Sequence, residues 1–315
     1  MEVVWLGRAS GLEATVARDS SIPFEPLVAA GFFGKGVVDR VKGAWCLAKG
    51  TVRCWGLWDR FEPDGLVAAG SYVSAAPLLA ARLRSKPYFL LEQNCIIGRV
   101  TRFFAPSARE SFLTFPTVRP FPGAHVITGS PLRPTLQEGR REDNGRTVLV
   151  LGGSGGARAL NLAALDTAAA LTNLEFIILT GRRDFELVRS LVRSRNVELV
   201  EWTFQPEELY RRATIAISRA GGLVLSELLS FGIPAIIVPF PYATDGHQHA
   251  NAQYLASIGA ATVLDQSRLS GLTTLVRSLI SDEQQRQQMA HAARAAARPQ
   301  AGRVIAERIV QCLAG

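Results

Sequence analysis

Residues 215–231 combine a strand, a glycine turn and a helix in an order that suits an anionic ligand. A β-branched run at 215–218 predicts a buried strand, and apolar residues recur with helical spacing over 223–231. Gly221 and Gly222 stand between them, so the backbone there can approach a ligand closely. The free N–H groups and positive dipole end of the helix favour a pyrophosphate, although a glycine pair before a helix is also common in a plain turn.

Glu227 lies about a turn and a half into this helix, where its carboxylate can accept bonds from both hydroxyls of a ribose. The alternative is that Glu227 is an ordinary solvated residue on the surface of the helix. Gly232 is suited to ending the helix, and a second buried strand is predicted from Ala235. The segment therefore predicts a βαβ unit with its ligand at the carboxyl end of the first strand.

A polar loop follows, and residues 245–251 are Asp-Gly-His-Gln-His-Ala-Asn. Amide side chains such as those of Gln248 and Asn251 can read sugar hydroxyls, because they both donate and accept hydrogen bonds. His247 and His249 could form a metal pair, but residues two apart do not share a helix face and no further His or Cys is near in the sequence. We therefore expect no metal site.

Composition limits the classes of protein that fit. A chain of 315 residues with 48% hydrophobic residues can bury a large core and is expected to form two domains. No run approaches the roughly 18 apolar residues of a transmembrane helix, the first residues lack a signal-peptide pattern, and the four cysteines have no CxxC spacing. We expect a cytoplasmic protein with free thiols.

The net charge of +8 is concentrated in the first half, where residues 1–135 contain 16 Lys and Arg against 10 Asp and Glu. Segment 34–60 has an apolar stripe with helical spacing, interleaved with basic residues. This pattern favours a helix packed on its own domain, and the alternative is a surface that rests on anionic lipid. Nucleic-acid binding is disfavoured, because the basic residues form no dense cluster. The stripe consists of Val37, Val41, Trp45, Ala48, Val52 and Trp55.

Strands and helices alternate along the chain, which predicts an α/β protein with parallel sheets and ligands at the carboxyl ends of the strands. In the first half, the polar turn at 92–94 follows a predicted strand and ends in Asn94. Residues 116–134, rich in proline and glycine, and the polar residues 136–146 are typical of a linker. The strand predicted at 147–151 leads into a second glycine-rich turn, which suits phosphate but matches neither the Walker nor the GxGxxG pattern.

Together these motifs resemble one family. Residues 152–161 (GGSGGARALN), 218–227 (SRAGGLVLSE) and 239–252 (PFPYATDGHQHANA) are similar to the MurG-type N-acetylglucosaminyltransferases of glycosyltransferase family 28, which complete lipid II in bacterial peptidoglycan synthesis. Further likeness lies at 5–14, 70–77, 91–94 and 129–133, so the resemblance covers nearly the whole chain.

The resemblance implies an α/β GT-B fold, in which two Rossmann-like domains face a cleft. Residues 1–135 would meet the membrane and the acceptor, and residues 136–315 would hold UDP-N-acetylglucosamine. The reaction would be inverting transfer of N-acetylglucosamine to an undecaprenyl-linked muramyl pentapeptide, from lipid I to lipid II. The protein would lie peripherally on an anionic surface, the cytoplasmic face of the cell membrane, and would need neither a cofactor nor a metal.

The same resemblance implies a set of substrate-binding residues. Residues 222–227 would hold the pyrophosphate and the ribose, with Glu227 on the ribose hydroxyls. Gln248 and Asn251 would read the donor sugar, and Asn94 would face the acceptor. The full set is Asn94, Arg133, Ser154, Thr203, Gly222, Leu223, Val224, Leu225, Ser226, Glu227, Gln248 and Asn251. Three of these would lie around the nucleotide, with Ser154 on its phosphates, Arg133 beside it and Thr203 near the uracil.

The sequence departs from the family pattern at its start. Family members begin with a strand, a Gly-Gly-Thr-Gly-Gly-His turn and a helix, about 30 residues that supply the proposed general base and have no counterpart here. No residue is therefore assigned to catalysis, and the N-terminal domain is expected to be incomplete. The alternatives are a truncated, catalytically weak nucleotide-sugar-binding relative, or a nucleotide-sugar epimerase on the same scaffold. There are three smaller departures. Gly155 stands where the family usually has Gln, Ser130 where it often has Asn, and Gly222 where Ala is common.

Overall fold

The computed structural model describes residues 2–9, 12–27, 37–137, 139–153 and 156–314. Strands and helices alternate through these residues, as predicted. The strands are β1 (Trp5–Gly7), β2 (Phe24–Pro26), β3 (Leu66–Ala68), β4 (Tyr88–Glu92), β5 (Glu110–Leu113), β6 (His125–Ile127), β7 (Thr147–Leu151), β8 (Glu175–Leu179), β9 (Val197–Val200), β10 (Ile215–Ser218), β11 (Ala235–Ile237) and β12 (Ala261–Val263). The helices are α1 (Leu12–Asp19), α2 (Val37–Phe61), α3 (Ala75–Leu83), α4 (Arg99–Phe104), α5 (Pro134–Gln137), α6 (Arg158–Ala170), α7 (Phe185–Leu191), α8 (Pro206–Arg212), α9 (Gly222–Phe231), α10 (His247–Ser257), α11 (Leu272–Ser281), α12 (Glu283–Ala296) and α13 (Ala301–Ala314).

The described strands form three parallel sheets. The second half contains a six-stranded sheet in the order β12-β11-β10-β7-β8-β9. The first half contains a four-stranded sheet in the order β3-β4-β5-β6 and a separate pair, β1-β2. Two Rossmann-like α/β domains are therefore present, each with its own parallel sheet, and in each sheet the strands end at a common edge.

The six-stranded sheet is covered on both faces. Along β7 the side chains alternate, so that Val148 and Val150 enter one hydrophobic cluster and Leu149 and Leu151 enter the other. This follows from the two-residue period of a strand, and it explains why β7 reads as a continuous apolar run. The core holds β10 and β7 side by side, which brings both glycine turns of the second half to one edge.

The predicted βαβ unit of the second half is confirmed. β10 and β11 pair in parallel, and α9 connects them. Gly232 follows α9 with φ 61° and ψ 43°, the left-handed conformation that glycine adopts without a steric penalty.

α2 packs on its own domain, as expected, but the predicted apolar stripe is not the face that packs. Trp45 is 70% exposed and Val52 is 73% exposed. The buried face instead carries Thr51, Cys54 and Trp58, and α2 packs against α3. Small side chains on that face permit a close approach between the helices, which a count of apolar residues does not register. No helix in the described ranges combines the length and apolarity needed to span a bilayer.

The segment interpreted as a linker contains regular structure. β6, at His125–Ile127, lies within the predicted stretch 116–134 and forms the edge of the four-stranded sheet, so this part of the prediction is wrong. At the other end of the chain, α13 returns to the first sheet, where Ile305 packs with Phe89 and Phe112. An Arg308–Glu110 ion pair, with Nε–Oε2 at 2.8 Å, adds to this contact.

Ile305 should anchor α13 to the first sheet. Because it is buried against two phenylalanines, Ile305→Ala leaves a cavity, and we expect the free energy of unfolding to fall by about 2–3 kcal/mol. Val310→Ala, at a position on the same helix that is 54% exposed, should change it by less than about 0.5 kcal/mol. Urea denaturation of both variants measures the difference, and equal losses would contradict the anchoring role.

Candidate functional site

The start of α9 presents free backbone donors. Gly221 precedes the helix and has no side chain that could cap it, and the first helical bond runs from the Leu225 amide to the Gly221 carbonyl. The amides of residues 222–224 are therefore not used inside the helix. Aligned with the positive end of the helix dipole, they form an arrangement that binds phosphate groups.

Glu227 is buried one turn further along α9, and one of its oxygens is occupied. Its Oε2 accepts a bond of 2.6 Å from the hydroxyl of Tyr210. Burial raises the pKa of the Glu227 carboxyl, while the Tyr210 bond and the charge of Arg133 oppose the shift. Burial also raises the pKa of the Tyr210 hydroxyl well above its usual value, so this group remains a donor. Oε1 is the oxygen that remains for a ligand hydroxyl.

Gln248 is held at the carboxyl edge of the second sheet. Its Oε1 accepts bonds from the backbone amides of Ala220, at 3.2 Å, and Phe240, at 2.9 Å. These residues follow β10 and β11, so the side chain bridges the ends of two neighbouring strands. The two bonds fix the orientation of the carboxamide. Its Nε2 carries the donors that could bond a sugar at this edge.

Asn251 is buried where the two domains meet. Its side chain is fully buried and is bonded on both sides by protein atoms. Nδ2 donates to Asn94 Oδ1 and to the Ala220 carbonyl, each at 3.0 Å, and Oδ1 accepts from the Cys95 amide at 2.8 Å. The structure therefore brings Asn94 and Asn251 together across the domains, with Asn251 fully buried.

A cavity of about 380 Å³ lies where the two domains meet. Asn94, Ser71 and Tyr72 line it from the first half, and Asp245 and His247 line it from the second. At its edge, the Arg99 guanidinium bonds both oxygens of Asp245, at 3.2 and 2.9 Å. This bidentate pair holds the pKa of the Asp245 carboxyl below its usual value.

The other predicted site residues fall into two groups. Arg133 donates to the Phe204 carbonyl at 2.6 Å, beside Thr203, and its charge acts on the Glu227 carboxyl. Along α9, Leu223 is exposed and Val224 is half-buried, whereas Leu225 belongs to the core and Ser226 donates to the Gly222 carbonyl. The side chains of Leu225 and Ser226 are therefore engaged within the protein. Ser154 lies outside the described residues.

Sequence reasoning missed three side chains that position this site. Tyr210 supports Glu227, Glu92 supports Asn94, and Arg219 donates to the Val238 carbonyl and to Gln266, which ties the loop after β10 to its neighbours. Glu92 was visible as part of a polar turn. The other two gave no signal, because a Tyr in a charged helix and an Arg before a glycine pair are ordinary surface patterns.

The two histidines of the 245–251 loop do not converge. His247 Nδ1 bonds the Thr244 carbonyl at 2.7 Å, and the His249 side chain is exposed. Within the described ranges, no group of three or more His, Cys, Asp or Glu side chains is arranged to hold a metal ion.

Two family domains match the sequence. The glycosyltransferase family 28 N-terminal domain matches residues 1–113, and the family 28 C-terminal domain matches residues 147–305. These ranges contain the four-stranded sheet through β5 and the whole six-stranded sheet.

Curated relatives and a solved structure agree with this match. A Salinibacter ruber protein named UDP-N-acetylglucosamine–N-acetylmuramyl-(pentapeptide) pyrophosphoryl-undecaprenol N-acetylglucosamine transferase is 34% identical, covering 98% of this chain and 88% of the relative. A Methylococcus capsulatus protein of the same name is 35% identical, covering 97% of this chain and 89% of the relative. The crystal structure of Acinetobacter baumannii MurG is 28% identical with a TM-score of 0.79, covering 98% of this chain and 91% of that one. This chain belongs to glycosyltransferase family 28.

Proposed function

We propose that this chain transfers N-acetylglucosamine from UDP-N-acetylglucosamine to an undecaprenyl-linked muramyl pentapeptide, converting lipid I to lipid II. The observation that carries the proposal is the start of α9, where three free amides stand beside Glu227 and Gln248 at the edge of the second sheet. The relatives that are 34% and 35% identical over nearly the whole chain carry the name of this transferase. The activity belongs to peptidoglycan synthesis, and through it to cell shape and division.

The donor is expected to bind the second domain, for which we retain the range 136–315. The pyrophosphate lies on the amides of 222–224, and the ribose hydroxyls bond the free oxygen of Glu227. Arg133 and Thr203 lie on the uridine side, Ser154 on the phosphate side, and Gln248 reads the sugar through Nε2. The first domain, 1–135, presents the acceptor from the cavity that Asn94 lines.

The reaction is a single displacement with inversion. The acceptor hydroxyl oxygen bonds the anomeric carbon, the bond from that carbon to the UDP oxygen breaks with its electron pair staying on UDP, and the hydroxyl proton passes to solvent water. Negative charge therefore grows on the pyrophosphate in the transition state. The amides of 222–224, at the positive end of the α9 dipole, would stabilise this charge on a pyrophosphate bound there.

The acceptor is lipid-linked, so we place the protein peripherally on the cytoplasmic face of the cell membrane. The exposed face of α2 supports this placement, because Trp45, Val52 and Trp55 lie there beside Lys49 and Arg53. Tryptophan and basic side chains together suit an anionic bilayer interface. The Arg84 side chain lies over the ring of Trp55 at 4.7 Å and holds it on this face.

A transfer assay tests the proposed function. We expect the chain to convert UDP-N-acetylglucosamine and the lipid-linked acceptor to UDP and the elongated lipid, and to leave free donor unchanged when the acceptor is omitted. Donor binding without transfer would support a nucleotide-sugar-binding relative instead. Interconversion of the free UDP-sugar without an acceptor would identify an epimerase.

Glu227 should make donor binding depend on pH. The ionised carboxylate accepts bonds from ribose hydroxyls more strongly than the neutral acid, so affinity should increase as pH rises through the pKa of Glu227. Because burial raises this pKa, the increase should lie above the ordinary range of about 4.3 for glutamate. Calorimetry with UDP-N-acetylglucosamine, whose diphosphate has no ionisation in that range, measures the profile.

Two variants control this measurement. Glu227→Gln keeps the shape of the side chain and should lose the pH dependence. Tyr210→Phe removes a bond that lowers the pKa of Glu227, so it should move the profile to higher pH.

At neutral pH, Glu227→Ala should weaken binding by about thirtyfold, the equivalent of ~2 kcal/mol for lost bonds to a charged group. Unchanged affinity in Glu227→Ala would remove Glu227 from the ribose site.

Membrane association should depend on the exposed face of α2. We expect binding to vesicles with anionic lipid to weaken as salt is added, and the double variant Trp45→Ser/Trp55→Ser to lower the partition coefficient by at least about tenfold. Tyr242→Ser is the matched control, because Tyr242 is an exposed aromatic residue of the second half. Sedimentation with vesicles measures both. Association that is independent of salt, or equal in the three proteins, would place the membrane contact elsewhere.

A further inference from the structure

The loop after β4 and the start of α9 approach each other closely across the two domains. An ideal Cβ on Gly222 would overlap the carbonyl oxygen of Gln93. Its φ is not in the left-handed region, so the requirement for glycine is one of space and not of backbone conformation. An alanine at this position would therefore push the two segments apart.

Asn251 joins the same two segments by hydrogen bonds. Through Nδ2 it holds Asn94 Oδ1 and the Ala220 carbonyl, and through Oδ1 it holds the Cys95 amide, all within 3.0 Å. Ala220 lies in the turn that leads into α9, whereas Asn94 and Cys95 belong to the first domain. A single buried amide therefore ties the acceptor-side loop to the turn before the donor helix.

Glu92 keeps Asn94 in place for this contact. Its Oε1 accepts from the Asn94 amide at 3.1 Å and from Asn94 Nδ2 at 3.4 Å, and its Oε2 accepts from the Gly98 amide at 2.9 Å. The carboxylate is buried, and these bonds fix the loop on both sides of Asn94. Since Asn94 Nδ2 is directed to Glu92, its Oδ1 is the atom that faces Asn251.

Cys95 completes the contact on its apolar side. Its side chain belongs to the same buried cluster as Leu225 and Ala252 of the second domain. Phe115 of the first domain also enters this cluster, where its ring lies 5.2 Å from that of Tyr254. Burial raises the pKa of the Cys95 thiol to about 12, so the thiol is unreactive while the domains are in contact.

We propose that Asn94 and Asn251 are positioning residues that clasp the domains together, holding the acceptor-side loop against the donor helix during transfer. The inference rests on the proposed function. An acceptor on one domain and a donor on the other react only when their atoms are held about 3–3.5 Å apart, and closing the gap between the domains keeps water from the donor. The hydrogen bonds among Asn94, Asn251 and the Ala220 carbonyl supply this register.

Alkylation of Cys95 tests the clasp directly. The full chain is treated with iodoacetamide, and the rate at each cysteine is read by mass spectrometry. Asn94→Ala, Asn251→Ala and Gly222→Ala should each raise the rate at Cys95 at least about tenfold, because the open state exposes a thiol of ordinary reactivity. Gly221→Ala is the matched control, since an added Cβ there has no neighbour within 4 Å, and it should leave the rate unchanged.

Cys54 separates opening from unfolding. It is buried in the core of the first domain, away from the second, and its rate should not change in any variant. An unchanged rate at Cys95 in all three variants would overturn the proposal. A parallel increase at Cys54 would overturn it too, because the asparagines would then support only the stability of the fold.

Loss of either asparagine should lower turnover and leave UDP binding nearly unchanged. In Asn94→Ala and Asn251→Ala, the Kd for UDP should stay within about twofold while kcat falls at least about tenfold, and the double variant should be no slower than the slower single variant. Losses that multiply would contradict a shared contact. Loss of UDP affinity with unchanged kcat would return Asn251 to the donor site.

The transfer assay and the alkylation of Cys95 distinguish a failure of the proposed function from a failure of this inference. If the wild-type chain fails to transfer sugar but Cys95 responds as expected, the proposed function fails and the clasp stands. If transfer occurs and Cys95 does not respond, the clasp fails and the proposed function stands.

Discussion

The first turn of α9 is constrained from two sides, and the organisation of the site depends on that constraint. Its amides must remain open toward the cleft if they are to hold an anion. Its first residue, Gly222, must also leave space for the Gln93 carbonyl of the other domain. A carbonyl oxygen beside the positive end of a helix dipole is electrostatically favourable. Glycine at 221 and 222 satisfies both conditions, because it adds neither a capping side chain nor a Cβ.

The parts of the fold that could be predicted are those encoded by neighbours in the sequence. β10, α9 and β11 follow from a β-branched run, a helical period and Gly232, and each is bounded within a residue or two of its expected position. The buried strand β7 follows from its apolar composition. In contrast, the sequence pattern predicts the wrong buried face for α2. It favours the side with tryptophan and valine, whereas the structure buries the side with Thr51 and Cys54.

The sequence predicts residues for the site but not the contacts that hold them. Glu227 and Gln248 are predicted from spacing and resemblance, and the structure adds that Tyr210 bonds Glu227 and that Gln248 bonds the Ala220 amide after β10. The bond between Asn251 and Cys95 joins residues 156 positions apart, and no local pattern encodes it. The sequence shows Gly222 as half of a glycine pair, and the structure adds a second reason for it, the close approach of the Gln93 carbonyl.

The polar character of the interdomain contact also has a physical reason. A well-packed apolar contact in place of Asn94 and Asn251 would stabilise the closed arrangement as strongly, but it would specify the register of the two segments less sharply. When hydrogen-bonded groups separate, water replaces the lost partners, so each bond contributes only about 0.5–1.5 kcal/mol of net free energy. A contact of this kind can therefore open to exchange substrates and close again in a single register, which an interface made only of apolar side chains would not ensure. The small apolar contribution of Cys95 beside the buried amides fits this balance.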